Sequence, residues 1–332
     1  MPRPDLLLVS LGGTAGLREA DAELADSIRR AGADVVMASV RPPREVRTFA
    51  LTDLAWARAA RRATVEAPLT RTVLYSSVTA ALLAPRSGAI RFDAPAAGNR
   101  PGRHGVWQRP VERHRLERAS LLVPWSAGGL TEAGVTHDRF VIVPVPIEPS
   151  SSGGPDAVRD LAAITYGANP HKKGLDRVLA AWRVARRDDE ELLVAGLTAA
   201  EEPGVRYVGA IPRETYRALL RRARVFVSAP RREDYGIAQL EALADGCSLV
   251  TTPSSGPYAA LPLAMALDPR LICDSGELAH AIRVALDAPR EGYAARASEL
   301  LGPWRREAVD RVVASELLPR LFAGELSCLE RL

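Results

Sequence analysis

VFVSAPRREDYGIAQLEALADGCSLVTTP, from Val225 to Pro253, reads as strand, loop, helix and strand in that order. Val225 to Ser228 and Ser248 to Thr252 are short runs rich in apolar and β-branched residues, bounded by Pro230 and Pro253, and both suit buried strands. Between them Leu240, Leu243 and Ala244 recur at helical spacing, with Gly236 opening the helix. A helix between two buried strands is a βαβ unit with its strands in parallel. The loop carries Glu233, and the helix carries Glu241 eight residues later. A loop carboxylate and a helix carboxylate can converge on one polar ligand, since ionised carboxylates are acceptors for hydroxyl groups such as those of sugar and ribose diols. Either glutamate alone also reads as a solvated acid.

The same alternation runs outward from this stretch. LAAITYG, ELLVAG and VRYVGA precede it as strands, with helices expected over Leu175–Arg186 and Thr215–Ala223. Before residue 150, DLLLVS, DVVMAS, TVLYSS, AIRFDA, SLLVPWS and FVIVPV read as six more strands with helical patterns among them. Val143–Ala157, rich in Pro, Ser and Gly, is the best linker. The reading is α/β, with two Rossmann-like domains: an acceptor-side domain over 1–148 and a donor-binding domain over 149–305. An amphipathic helical tail over 306–332 is expected to cross back. Two such domains facing each other would form a cleft, and ligands of open parallel sheets bind beyond the carboxyl ends of strands.

YGANPHKKGLD, Tyr166–Asp176, follows the first strand of the second domain and holds the only two lysines among 44 Lys and Arg residues. Lysine is a compact charge on a flexible stem, and a cation is disfavoured at the positive end of a helix unless an anion joins it. Lys173 is therefore a candidate phosphate ligand. After the first strand of the chain, LGGT places Gly12 and Gly13 where backbone can approach a ligand, and the helix beyond Thr14 offers free N–H groups. Gly13 and Thr14 join the donor-binding candidates, with a plain strand-to-helix turn as the competing reading. No GxGxxG dinucleotide fingerprint is present.

The 332-residue chain is 47% hydrophobic and 25% charged, ordinary for a globular protein, with a formal net charge of +4. That mild excess suits an anionic small ligand without requiring nucleic acid, and 5% aromatic content argues against a base-stacking platform. Cys247, Cys273 and Cys328 lack CxxC spacing and read as reduced cysteines of a cytoplasmic protein. The N-terminal apolar run is too short for a signal peptide, and no run approaches the roughly 20 apolar residues of a membrane span.

GANPHKKGLDRVLAAW followed by EDYGIAQLEALADGCSLVTTPSSG resembles the second domain of family 4 of the retaining glycosyltransferases, which have the GT-B fold. Glu233, Tyr235 in place of the common Phe, Gly236, Glu241, Ala242, Ala244 and Gly246 stand at the positions of that family's E-x-F-G-x-x-x-x-E-A-x-A-x-G pattern. The resemblance covers roughly Ala162–Leu286. It implies a metal-independent transferase without a cofactor, its co-substrate a nucleotide-sugar and its acceptor unidentified. Lys173 would neutralise the donor diphosphate, and Glu233 would hold hydroxyls of the moving sugar; these are the catalytic candidates. Gly236 and Ile237 would offer N–H groups near the phosphates, Glu241 would accept from the ribose hydroxyls, and Tyr235 joins them as a donor-binding candidate. One departure stands out: the family often has Arg directly after the glycine that ends the strand, and here that position is Ala168. His171, Lys172 and Arg232 are the candidates to stand in for it. The departure keeps a non-catalytic nucleotide-binding homologue as an alternative, and a GT-B epimerase is a second one.

In the first domain Asp93 follows a strand and is an acceptor-side candidate with Arg103 and His104, although a capping role suits Asp93 as well. Arg100, Arg103, Arg109, Arg113, Arg115 and Arg118 form a basic stretch. It suits an acidic acceptor or peripheral contact with an anionic membrane surface. It equally suits a solvated loop and helix in an arginine-rich chain, and the sequence leaves both open.

Overall fold

The computed structural model describes residues 3–41, 48–136, 138–150, 158–187 and 189–329. The chain divides into two compact units, Met1–Pro146 with Arg306–Leu332, and Ile147–Arg305. The first unit is built on β1 (Leu6–Ser10), β2 (Val35–Ser39), β3 (Thr72–Tyr75), β4 (Ala89–Phe92) and β5 (Leu122–Pro124), all parallel, in the order β2-β1-β3-β4-β5. β1 lies inside the sheet between β2 and β3 with all five residues buried, which is why its run is uniformly apolar up to Ser10 rather than alternating.

FVIVPV does not form a sixth strand of this sheet. Val141 and Val143 donate to Leu122 and Pro124 carbonyls at 2.9 and 3.0 Å, so the segment runs along β5, yet only an isolated bridge, Leu122 to Phe140, results. Pro124 has no N–H with which to return a bond, and Pro144 and Pro146 have none to continue the ladder.

The C-terminal helices, Arg306–Val312 and Leu318–Leu329 joined by a π turn, belong to the first unit. Val309, Val313, Leu317 and Leu321 pack in one core with Leu24, Ile28 and Leu74. Asp310 fixes their register on the helix Ala15–Arg30, accepting from Arg30 at 2.8 and 2.9 Å and from Ser27 at 2.5 Å.

The second unit holds β6 (Leu161–Tyr166), β7 (Leu192–Ala195), β8 (Val205–Gly209), β9 (Ala223–Ser228) and β10 (Ser248–Thr251), parallel in the order β10-β9-β6-β7-β8. Strand order reverses between β6 and β9, so the chain leaves these neighbours toward opposite sides. The loops after them open a crevice there, the usual ligand position of such a sheet. The helix Leu175–Ala185 covers the sheet with Leu175, Val178, Ala181, Trp182 and Ala185, a stripe at three- and four-residue spacing. Trp182 is fully buried and donates from its indole to the Gly204 carbonyl at 2.7 Å. No helix among the described residues is long and apolar enough to cross a membrane.

Candidate functional site

The loop after β6 is shaped by Asn169 and Gly174. Asn169 caps the four-residue helix Pro170–Lys173, its side chain accepting from the Lys172 N–H at 3.1 Å. Gly174 then takes φ +62°, and a Cβ there would lie 1.9 Å from the Ala229 carbonyl oxygen. Only glycine allows this loop to lie directly on the end of β9. The lysines therefore sit in the last turn of a short helix, where a cation is favoured, ahead of the helix Leu175–Ala185 rather than at its N-terminus, and they pair with carboxylates of the neighbouring loop.

Those carboxylates come from the loop Ala229–Gly236. Lys173 Nζ donates to Glu233 Oε2 at 2.6 Å. Lys172 pairs with Asp234, which also accepts from Arg232 at 2.7 Å. Arg231 grips Asp176 through both oxygens, at 2.7 and 2.6 Å, while its N–H donates to the Lys172 carbonyl at 2.9 Å. Four cations thus face three carboxylates at the switch point, leaving one positive charge in excess. Burial resists ionisation of Asp234, but Lys172 and Arg232 outweigh it and hold the carboxyl below the usual range. The Arg231 hydrogen bonds lower Asp176 to about 2.

Glu233 is 4% exposed and is held from a second side by Gln239. The Gln239 amide donates to Glu233 Oε2 and to Ser228 Oγ, both at 2.9 Å, and its buried Oε1 has no hydrogen-bond partner among the described residues. Gln239 was not among the candidates. Its signal in the sequence is a lone amide on the otherwise apolar run of IAQLEALA. Tyr258 was also missed: it lies buried with a φ of 22°, and its hydroxyl pairs with Thr251 Oγ1 at 2.6 Å. Such a backbone is costly for a residue with a side chain.

Gly236 takes φ +91° as it enters the helix Ile237–Ala244, whose first N–H groups, including that of Ile237, open toward the same loop. Tyr235 is buried, and its hydroxyl accepts from Trp304 Nε1 at 2.9 Å, so this side chain is engaged in packing. Glu241 points toward the helix Arg213–Arg222: Oε1 accepts from Arg213 at 2.7 and 3.1 Å and from Arg217 at 3.4 Å. All three contacts fall on one oxygen. Arg217 is buried and also binds Asp245 at 2.5 Å and the Glu148 carbonyl at 2.7 Å.

In the first unit Thr14 caps the helix Ala15–Arg30, accepting from the Leu17 N–H at 3.3 Å, and Gly13 lies beside Trp56. Beneath this turn Asp21 accepts from Ser10 at 2.6 Å and Arg91 at 3.0 Å, and burial, though opposed by Arg91, raises its pKa. Asp93 Oδ1 accepts from the following Ala94 N–H at 2.7 Å, a local turn contact. Arg103 is exposed, and the His104 side chain lies outside those described. The rest of the arginine stretch is largely tied locally: Arg100 to Asp53, Arg109 to the Arg100 and Gly102 carbonyls, Arg113 to Glu117.

Residues 162–288 match the family model described as Glycosyl transferases group 1. Among solved structures, WaaG, a glycosyltransferase involved in lipopolysaccharide biosynthesis, is similar at 15% identity and a TM-score of 0.64, over 97% of this chain and 98% of that one. A sucrose-phosphate synthase from Thermosynechococcus elongatus is similar at 16% identity and 0.66, over 99% and 98%. A trehalose-6-phosphate protein from E. coli, solved with UDP-2-fluoro glucose, is similar at 11% identity and 0.67, over 94% and 98%. No curated protein matches the chain. With two parallel five-stranded sheets matched along nearly its whole length, the chain has the GT-B fold.

Proposed function

We propose, from the glycosyl transferases group 1 domain over residues 162–288, that this protein is a retaining glycosyltransferase with a nucleotide-sugar donor. The observation that carries the reading is the Lys173–Glu233 contact at the switch point of the second sheet. A cation suited to a diphosphate and a carboxylate suited to sugar hydroxyls meet where a ligand of such a sheet belongs.

In this reading Lys173 turns from Glu233 to the diphosphate and neutralises the charge that grows on it as the bond from the anomeric carbon to the leaving oxygen breaks. Lys172 and Arg232, both oriented by Asp234, supply the second cation that Ala168 does not. The N–H groups of Gly236 and Ile237 donate to phosphate oxygens, the helix dipole adding to them. Glu233, held by Gln239, binds hydroxyls of the moving sugar and stabilises its cationic character. Glu241, its Oε1 engaged by arginines, keeps Oε2 for the ribose hydroxyls. The acceptor oxygen attacks from the face the diphosphate leaves, and its proton passes to the departing phosphate oxygen. Configuration is retained without a protein nucleophile or a metal. Gly13, Thr14, Asp93 and the acceptor-side residues Arg103 and His104 complete the assignment, with the protein working in the cytoplasm or on the inner face of its membrane.

Calorimetric titration with UDP, GDP, ADP and dTDP, without and then with magnesium, tests the reading. Binding of one of them, independent of magnesium, supports a donor site and names its base. Absence of binding to all four contradicts the donor assignment and moves a non-catalytic role to the front. UDP comes first, because it is the nucleotide of the ligand in the E. coli relative.

A further inference from the structure

The first unit contains a basic cavity that none of these roles uses. It has a volume of about 100 Å³ and is lined by Tyr75, Arg86, Ser87, His114, Arg115 and Arg118 with small and apolar neighbours, and no carboxylate lines it. Elsewhere several arginines withdrawn from solvent are met by acids, Arg91 by Asp21, Arg217 by Asp245 and Arg232 by Asp234, although Arg159 and Arg224 bind main-chain carbonyls. Those of the cavity are not met by acids among the described residues. Arg86 donates to the Ala67 and Pro68 carbonyls at 3.0 and 3.2 Å, and its own carbonyl accepts from Tyr75 at 2.9 Å, which fixes that wall. Arg115 uses only Nε, on the Leu82 carbonyl at 3.0 Å, so its two Nη groups make no hydrogen bond among the described residues. The side chains of His114 and Arg118 make neither hydrogen bond nor ion pair among the described residues.

Cations in the last turn of the helix Gln108–Glu117 also offset its negative end, an effect of about 0.3–1 kcal/mol. That suits His114 and Arg115. It does not account for Arg86, which arrives from a different segment. Guanidinium forks match tetrahedral oxyanions in geometry and charge. The small volume suits a single phosphate group better than a whole nucleotide, whose pockets run to roughly 300 Å³ or more. We propose that this cavity binds a phosphate group, presented either as a free phosphate or soluble phosphate ester or as a lipid headgroup, with Arg86, Arg115 and Arg118 as its ligands.

The proposal stands apart from the donor assignment. Calorimetry of the full chain with inorganic phosphate at low salt is expected to show binding that weakens at least tenfold in Arg118→Glu and in Arg115→Gln. Arg118 is exposed, so Arg118→Glu keeps the test valid even if losing the Leu82 contact unfolds Arg115→Gln. Absent binding, binding unchanged in Arg118→Glu, or binding lost only in Lys173→Ala overturns the proposal. Cosedimentation with vesicles of phosphatidylglycerol in phosphatidylcholine separates the sources. Pelleting that Arg118→Glu abolishes and free phosphate displaces identifies a headgroup, whereas phosphate binding without pelleting identifies a soluble ester.

Discussion

Lys173 Nζ lies 2.6 Å from Glu233 Oε2, and the Gln239 amide reaches the same oxygen from 2.9 Å. The proposed phosphate ligand and the proposed sugar ligand therefore neutralise each other, and a donor has to exchange this contact for two of its own. Lys173→Ala removes one charge-assisted bond to the diphosphate, about 1.5–3 kcal/mol or 10- to 100-fold in affinity. It also leaves the Glu233 carboxylate unpaired beside that diphosphate. Glu233→Gln releases Lys173, so nucleoside diphosphate affinity should hold or rise while sugar transfer collapses. The double variant should recover part of the affinity that Lys173→Ala loses, a coupling that a calorimetric double-mutant cycle reads directly. Equal losses in the two single variants would contradict the division of roles.

Gly174→Ala should be among the most damaging small changes in the second unit. A side chain at φ +62° costs about 1–2 kcal/mol, and the new Cβ meets the Ala229 carbonyl oxygen at 1.9 Å, a main-chain atom that cannot turn away. The loop must lift from β9, and the Lys172 and Lys173 contacts go with it. We expect a loss of about 3 kcal/mol or more by denaturant unfolding, with nucleotide affinity falling in the fraction that remains folded. A variant as stable as the parent would show that the close approach is dispensable.

Glu112 gives the first unit a pH dependence. Burial raises its pKa to about 7, overcoming the Ala96 and Ala97 N–H groups that favour its charge, with Arg100 also favouring ionisation and Asp53 opposing it. The unfolded chain releases this proton near 4.5, so between about 4.5 and 7 the folded state holds a proton that the unfolded state has lost. Stability must fall as pH rises through that window, by up to about 3 kcal/mol in all. Glu112→Gln keeps the neutral shape and should flatten the dependence, so the melting-temperature gap between variant and parent should widen from pH 5 to pH 8. Parallel curves would place the Glu112 pKa back in the ordinary range.

The residues the sequence could not bring together are those whose partners depend on packing. Runs such as LLLVS and VFVS announce strands because both faces are buried, and the glutamates of the loop and helix announce a polar ligand site. That Lys173 and Glu233 meet follows from strand order, since β6 and β9 are neighbours at the switch point although β7 and β8 separate them in the chain. No local pattern states that order. Asp234 collecting both Lys172 and Arg232 depends on the same adjacency. FVIVPV has the composition of a strand, and its failure to join the sheet turns on single prolines that withhold N–H groups. Gln239 was legible as a polar intrusion in an apolar helix, but its contact with Glu233 depends on how that helix seats on β9.

Glu241 illustrates the point with two arginines whose effects should differ sharply. Arg213 and Arg217 both reach its Oε1, yet the Arg213 side chain is 48% exposed and that of Arg217 only 6%. Arg213→Ala removes a partly solvated contact and should cost less than about 1 kcal/mol of stability. It should instead act on donor affinity, by leaving the Glu241 carboxylate less firmly oriented for the ribose. Arg217→Met leaves Asp245, whose side chain is 1% exposed, without the arginine that binds it at 2.5 Å. Removing one partner of a buried pair costs roughly 3–5 kcal/mol because the remaining charge stays desolvated. The Asp245 contacts to Ser150 offset only part of this. Denaturant unfolding of both variants, with nucleotide titration of Arg213→Ala, measures the contrast. If Arg213→Ala destabilises as much as Arg217→Met, the exposed pair is a structural clamp and Glu241 is not held for a ligand.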